Sequence, residues 1–198
     1  MLEVEGFILV GGASSRMGTD KAGLKLGRYT FVERVARGLA AIAQSIRLVG
    51  APRDEMGMTG FSIIDDVYPG WGALGGLHTA LAACRAPWAA VVACDLPFVT
   101  GELFVRLASL AENFDAVVPL QPDGRPQPLC ALYRRATCAA LSGELIAKGE
   151  RRPRALLDRV RVRWAADHEL ADLPASGLFF TNVNTPEDFA QAKERDEG

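Results

Sequence analysis

The sequence predicts an α/β fold in which a mostly parallel, doubly wound sheet lies between two helical layers. Three observations predict it. Short β-rich runs alternate with amphipathic helical stretches, the rhythm of βαβ units. Two adjacent glycines, Gly11 and Gly12, follow the first apolar run directly, as expected where a strand of such a sheet opens into a ligand-binding loop. The 198 residues, 49% of them apolar and 23% charged, suit one domain with a substantial core, so a single domain over residues 1–198 is expected.

In chain order, Val4 to Val10 reads as a buried strand and Phe31 to Ala43 as a helix. Strands over Ser45 to Val49 and Phe61 to Ile64 precede a helix over Leu74 to Cys84. A strand over Ala89 to Ala93 precedes a helix over Gly101 to Glu112. Ala116 to Pro119 and Leu129 to Tyr133 read as strands, Arg135 to Ala147 as a helix, and Val160 to Trp164 and Leu178 to Phe180 as later strands. Thr185-Pro186-Glu187-Asp188 supplies an N-cap, a proline at the first helical position and two first-turn carboxylates, so the last helix should start at Pro186. Arg53 to Gly60 and Gly149 to Pro153 have the composition of flexible connections.

Composition also excludes function classes. A net charge of −2 gives no general attraction for nucleic acid, so anionic ligands have to be held by local groups. Apolar stretches such as Phe7 to Val10 are far too short to span a bilayer, and Glu3 and Glu5 spoil a signal-peptide n-region. A cytoplasmic protein without a membrane partner is expected. Cys84, Cys94, Cys130 and Cys138 form no CxxC pair and sit in apolar segments, which points to inert buried thiols. With only His78 and His168 the chain lacks the ligands of a structural zinc site, and without GxSxG it lacks a nucleophile elbow.

The chemistry concentrates in four places. Residues 8–24 read Ile8-Leu9-Val10-Gly11-Gly12-Ala13-Ser14-Ser15-Arg16-Met17-Gly18-Thr19-Asp20-Lys21-Ala22-Gly23-Leu24. Successive N–H groups of such a loop can converge on an anion, and a polyphosphate is the expected guest. The spacing is neither Walker A, because Thr19-Asp20-Lys21 follows Gly18, nor GxGxxG. Cys94-Asp95-Leu96-Pro97 places a carboxylate where an apolar strand ends. A hard ion such as Mg²⁺ needs one or two carboxylates beside phosphates and water, so Asp95 can hold one; taken alone it reads more readily as a turn or N-cap residue. Asp65-Asp66 ahead of Gly70-Trp71-Gly72-Ala73-Leu74-Gly75-Gly76-Leu77 reads by itself as a turn and a helix start. In Asn182-Val183-Asn184-Thr185-Pro186-Glu187-Asp188 the asparagines either shape a loop or bond a substrate. Arg151-Arg152-Pro153-Arg154 is a further basic stretch whose role stays open. Arg159, Arg161 and Arg163 alternate as on an edge strand and are expected as solvated surface.

Taken together, GGxSxRMGxDKxxL, the acidic pair with its glycine-rich helix start, CDxP and NxNTPED resemble the nucleotidyltransferases, most closely the molybdenum cofactor guanylyltransferase (MobA) family. The four motifs occur in order along nearly the whole chain. The resemblance implies a three-layer Rossmann-like nucleotidyltransferase fold and GTP and molybdopterin as substrates. GMP would pass to the terminal phosphate of Mo-molybdopterin, giving molybdopterin guanine dinucleotide and pyrophosphate with Mg²⁺ as cofactor. It further implies Arg16, Lys21 and Asp95 as catalytic residues and Asp95 as metal ligand. Leu9, Val10, Gly11, Gly12, Lys21, Asp65, Asp66, Gly72 and Asp95 would bind the nucleotide, and Asn182 and Asn184 the acceptor. Other cofactor-biosynthesis proteins and molybdoenzyme chaperones are partners in keeping with that role. This chain departs from the family pattern with Val10 for Ala, Ala73 for Pro and Gly75 for Ala.

Three rivals share part of the pattern. The cytidylyltransferase that makes the cytosine form of the cofactor differs at the Gly11-Gly12 pair and in the Gly72 to Leu77 element. A non-catalytic nucleotide or cofactor carrier would have little use for Arg16, Lys21, Asp95 and Asn184 together. A sugar-phosphate nucleotidyltransferase would need a longer chain.

Overall fold

The computed structural model describes residues 2–10, 23–50 and 60–197. The expectations placed on Gly11, Gly12, Arg16 and Lys21, and on the connection from Arg53 up to Thr59, lie outside the described residues. The elements are β1 (Val4–Leu9), a hairpin of β2 (Lys25–Leu26) and β3 (Tyr29–Thr30), α1 (Phe31–Leu39), β4 (Ala43–Val49), β5 (Ser62–Ile64), α2 (Ala73–Ala83), β6 (Trp88–Ala93) and α3 (Gly101–Ser109). They continue with β7 (Ala116–Pro119), β8 (Cys130–Arg134), α4 (Arg135–Ala147), α5 (Pro153–Leu157), β9 (Val162–Ala165) and α6 (Pro186–Glu197).

The main sheet has seven strands in the order β5-β4-β1-β6-β8-β7-β9. All neighbours pair in parallel except β8, which runs antiparallel to β6 and β7. Antiparallel strands need no helical crossover, and β7 reaches β8 through a short turn in which Gln121 N–H donates to the Arg125 carbonyl. The mostly parallel α/β sheet is the one expected.

Alternation along the strands builds the layers, because successive side chains point to opposite faces. Val4 and Ile8 face a core made with Val35 and Leu39 of α1 and Leu103, Phe104 and Leu107 of α3. Phe7 and Leu9 face the other core, with Leu74, Leu77 and Leu81 of α2 and Cys138 and Leu145 of α4. Each helix start has its own chemistry. At α1, Thr30 Oγ1 accepts the Glu33 N–H at 3.1 Å and Glu33 Oε2 accepts the Thr30 N–H at 2.7 Å, a reciprocal capping box.

The structure corrects several expectations. The first helix stops at Leu39, since the Ala41 and Ile42 N–H groups return to Gly38 and Leu39 carbonyls in a turn that feeds β4. The third ends at Ser109, three residues early. Leu178 to Phe180 is no strand: Leu178 ends a short 3-10 turn, its N–H bonded to the Ala175 carbonyl. The run is apolar because Phe179 is buried in a core cluster and Leu178 packs on another, so burial without alternation resembled a strand. The β2 and β3 hairpin, two residues a side, was too short to read.

Arg163 is not solvated surface, since its guanidinium pairs with Glu169 at 28% side-chain exposure. Arg161 is exposed but donates from its backbone N–H and Nε to the buried Asp115 carboxylate, both at 3.2 Å. Arg159 does lie on the surface, near Glu144. The edge position expected for this segment is that of β9.

Candidate functional site

The chain runs from β1 to β4 and β5 on one side, then returns to β6 on the other. Connections therefore leave in opposite directions between β1 and β6, and a crevice opens beyond the carboxyl ends of these strands. Leu9 and Ala93, the last residues of the two strands, stand in register. The Val10 N–H donates to the Val49 carbonyl at 2.9 Å and the Cys94 N–H to the Leu9 carbonyl at 3.0 Å. Those bonds fix the backbone of Leu9 and Val10 at the crevice rim. The Val10 side chain packs on the core facing α1 and α3, which accommodates valine where the resemblance would have alanine.

Asp95, half-buried, follows the β6 end. Its carbonyl accepts the Val183 N–H at 3.0 Å, so the Asp95 turn and the Asn182 to Asn184 loop meet although they are distant in sequence. Asn182 and Asn184 are exposed beside the buried Val183. Asp188 Oδ2 accepts the Asn184 and Thr185 N–H groups, each at 2.9 Å, and Thr185 Oγ1 accepts the Asp188 N–H at 3.1 Å. The last helix starts at Pro186 as expected, and its capping bonds set the shape of the asparagine loop.

The glycine-rich helix start closes the site from the α2 side. A Cβ at Gly76, in the first turn of α2, would meet the Leu9 side chain at 3.5 Å. Asp65 is exposed just beyond β5. Asp66 Oδ1 accepts the Tyr68 N–H at 3.0 Å and lies 2.9 Å from Thr79 Oγ1, which in turn accepts the Val67 N–H. Asp66 thus ties the turn to α2. Gly72 caps the helix at φ +76°, a conformation that favours glycine.

A neighbour that sequence reasoning missed completes this corner. Trp71 Nε1 donates to the Glu150 carbonyl at 2.9 Å, the Arg151 guanidinium lies 4.6 Å from the centre of the Trp71 ring, and the Leu74 N–H donates to the Arg151 carbonyl at 3.2 Å. One Glu150 carboxylate oxygen accepts the Arg151 and Arg152 N–H groups and Arg152 Nε. Hydrogen bonds from Arg152 pull the Glu150 carboxyl down to about 2. The segment from Gly149 to Pro153, expected as flexible, is therefore braced against α2. Gly75 follows from the same packing: a Cβ there would stand 2.9 Å from Trp71 Cβ and 3.2 Å from the Tyr68 carbonyl oxygen.

Among the described residues no three His, Cys, Asp or Glu side chains gather as a metal-binding group. A carboxylate such as Asp95 suits a hard cation held mainly by phosphates and water, and by itself does not suit zinc. The four cysteines are buried. Burial pushes Cys84 and Cys138 up to about 12 and raises Cys130 as well, which makes thiolate chemistry inaccessible. His78 lies between α2 and α4, its Nδ1 2.9 Å from Ser142 Oγ, and burial lowers its pKa.

The family model for the MobA-like NTP transferase domain matches residues 6–169. The chain belongs to this family. Membership in the MobA-like family makes it a nucleotidyltransferase. A probable molybdenum cofactor guanylyltransferase of Deinococcus radiodurans is 37% identical over 100% of this chain and 97% of the relative. One from Pelotomaculum thermopropionicum is 33% identical over 98% of this chain and 93% of its own length. Among solved structures, molybdopterin-guanine dinucleotide biosynthesis protein A from Archaeoglobus fulgidus superimposes with a TM-score of 0.82 at 26% identity, covering 98% of both chains. The 2-C-methyl-D-erythritol 4-phosphate cytidylyltransferase of Thermus thermophilus, at 19% identity and a TM-score of 0.70 over 100% of both chains, shares the MobA-like fold.

Proposed function

We propose that the protein transfers GMP from GTP to the terminal phosphate of Mo-molybdopterin, yielding molybdopterin guanine dinucleotide and pyrophosphate. The observation that carries this reading is the junction of Asp95 with the Asn182 to Asn184 loop at the end of β6, beside β1, where the strand order reverses. The reading takes the Asp95 side of that junction as the nucleotide side and the asparagine loop as the acceptor side. Near-full-length relatives named as guanylyltransferases support the choice of base.

In this reading Leu9 and Val10 present backbone groups to the nucleotide, and Gly11, Gly12 and Lys21 receive its phosphates. Gly72 and the acidic pair take the guanine, with Asp65 or Asp66 accepting its N1–H and exocyclic amine, while Asn182 and Asn184 hold the acceptor. Mg²⁺ held by Asp95 would supply positive charge to the triphosphate. An oxygen of the acceptor phosphate attacks the α-phosphorus in line, the bond to the β-phosphate oxygen breaks, and pyrophosphate leaves without a covalent enzyme intermediate. Arg16 and Lys21 stabilise the charge that develops, and the remaining contribution is positioning. One domain over residues 1–198 carries the reaction. No helix among the described residues is long and apolar enough to cross a membrane, and we assign the protein to the cytoplasm, working with other cofactor-biosynthesis proteins and molybdoenzyme chaperones.

Pyrophosphate release with GTP, Mg²⁺ and molybdopterin tests the reading. The wild type turns over, and Asp95→Ala loses about 100-fold or more in kcat, the scale of a lost electrostatic contact in a transition state. A wild type as inactive as Asp95→Ala would instead point to a carrier.

A further inference from the structure

A third, small apolar cluster stands apart from the two cores of the sheet. It consists of Leu26, Phe31, Phe98, Val183 and Ala192, with Phe189 packed against it. Four of the five come from segments beside a motif: Leu26 from the hairpin that follows residues 11–22, Phe98 from the Asp95 turn, Val183 from between the two asparagines, and Ala192 from α6; Phe31 opens α1. Arg34 of α1 lies against this cluster, its guanidinium 5.7 Å from the centre of the Phe98 ring.

Arg34 uses its fork in three directions. Nη1 donates to the Leu26 carbonyl at 3.0 Å, Nε to the Pro97 carbonyl at 3.2 Å and Nη2 to Asp196 Oδ1 at 2.6 Å. Only 21% of either charged side chain is exposed, so the contacts are partly shielded from water and its screening. A planar guanidinium can serve three acceptors in fixed directions, which an ammonium on a flexible stem cannot. One carbonyl lies four residues after the glycine loop and the other two residues after Asp95.

We propose that Arg34 is a positioning residue for the transfer reaction, clamping the hairpin at Leu26 to the Asp95 turn at Pro97 while Asp196 orients its guanidinium. The proposal rests on the nucleotidyl-transfer reading of the crevice. It makes α6 part of the machinery, since the Asp196 carboxylate sets the direction of the fork. Substrate is held on two segments that no main-sheet hydrogen bond joins directly, and their relative placement passes through this side chain.

Arg34→Ala, Arg34→Lys, Asp196→Asn and the remote core variant Ile146→Ala are to be compared by thermal melting, steady-state kinetics and amide hydrogen exchange. Arg34→Ala should lose about 10- to 100-fold in kcat, the scale of a misplacement near 1 Å, while Ile146→Ala keeps its activity below its own melting transition. Arg34→Lys should recover part of the loss, Asp196→Asn should lose less than Arg34→Ala, and exchange should quicken in peptides spanning residues 24–31 and 94–99 but not in α4. Equal activity of Arg34→Ala and Ile146→Ala, or quickened exchange throughout the protein, would overturn the clamp. If Arg34→Ala does not fold, Arg34→Lys carries the same comparison. A wild type that releases no pyrophosphate would refute the reaction, and the exchange pattern would still decide the clamp.

Discussion

Gly75 shows how much one position depends on its neighbours. The sequence marks it as a departure from the alanine expected there, and the structure supplies the reason in Trp71 and the Tyr68 carbonyl. Gly75→Ala should destabilise the fold by about 1–3 kcal/mol, the usual cost of overfilling a packed site; chemical denaturation measures it, and an unchanged midpoint would contradict the contact. Pairing the substitution with Trp71→Ala should not restore the loss, because alanine keeps the Cβ that the new methyl group meets and the Tyr68 carbonyl is backbone. The places of Asp95 and Asn184 in the fold were legible because each is a polar residue at a strand or helix boundary. Trp71, Glu150 and Arg34 were not, because their partners are distant in sequence and only the fold unites them.

At the scale of elements, the start of α2 depends on the loop after α4. Glu150 organises that loop, and the Arg152 contact holds its pKa below the ordinary 4.5, at about 2. A depressed carboxyl contributes stability above its unfolded pKa and loses it as pH falls through the folded value. The difference in melting temperature between wild type and Glu150→Gln should therefore be full above pH 4.5 and shrink toward pH 2. A difference independent of pH would show that the carboxylate does not brace the loop. Because the Leu74 N–H donates to the Arg151 carbonyl, the variant should also raise the KM for GTP more than it lowers kcat. The strands and long helices were legible from hydrophobic patterning, as at Arg135–Ala147, and the start of α6 from its cap and Pro186. Boundaries failed where a turn resembled its neighbour, as at Leu39, and Leu178 to Phe180 failed because a turn buried in two clusters has the composition of a strand.

Across the whole molecule, the two cores hold the sheet between its helices, and the third cluster joins the hairpin at Leu26, the Asp95 turn at Phe98 and the asparagine loop at Val183. The fold class was legible because every βα repeat points to the same sheet. The third cluster was not, since its members are scattered from Leu26 to Ala192 with no periodicity to link them. Thiol chemistry reports on the integrity of the cores. Cys84, Cys130 and Cys138, raised by burial, should resist Ellman's reagent at pH 8 in the folded protein and react after denaturation; rapid labelling of the native state would contradict this packing. The proposed reaction joins guanylate to molybdopterin in this crevice. Mass spectrometry of the product formed from molybdopterin and Mg²⁺ with equal GTP and CTP tests it most directly. Molybdopterin guanine dinucleotide with matching pyrophosphate release is the expected product, and a cytosine dinucleotide formed without the guanine one would overturn the guanylyl assignment.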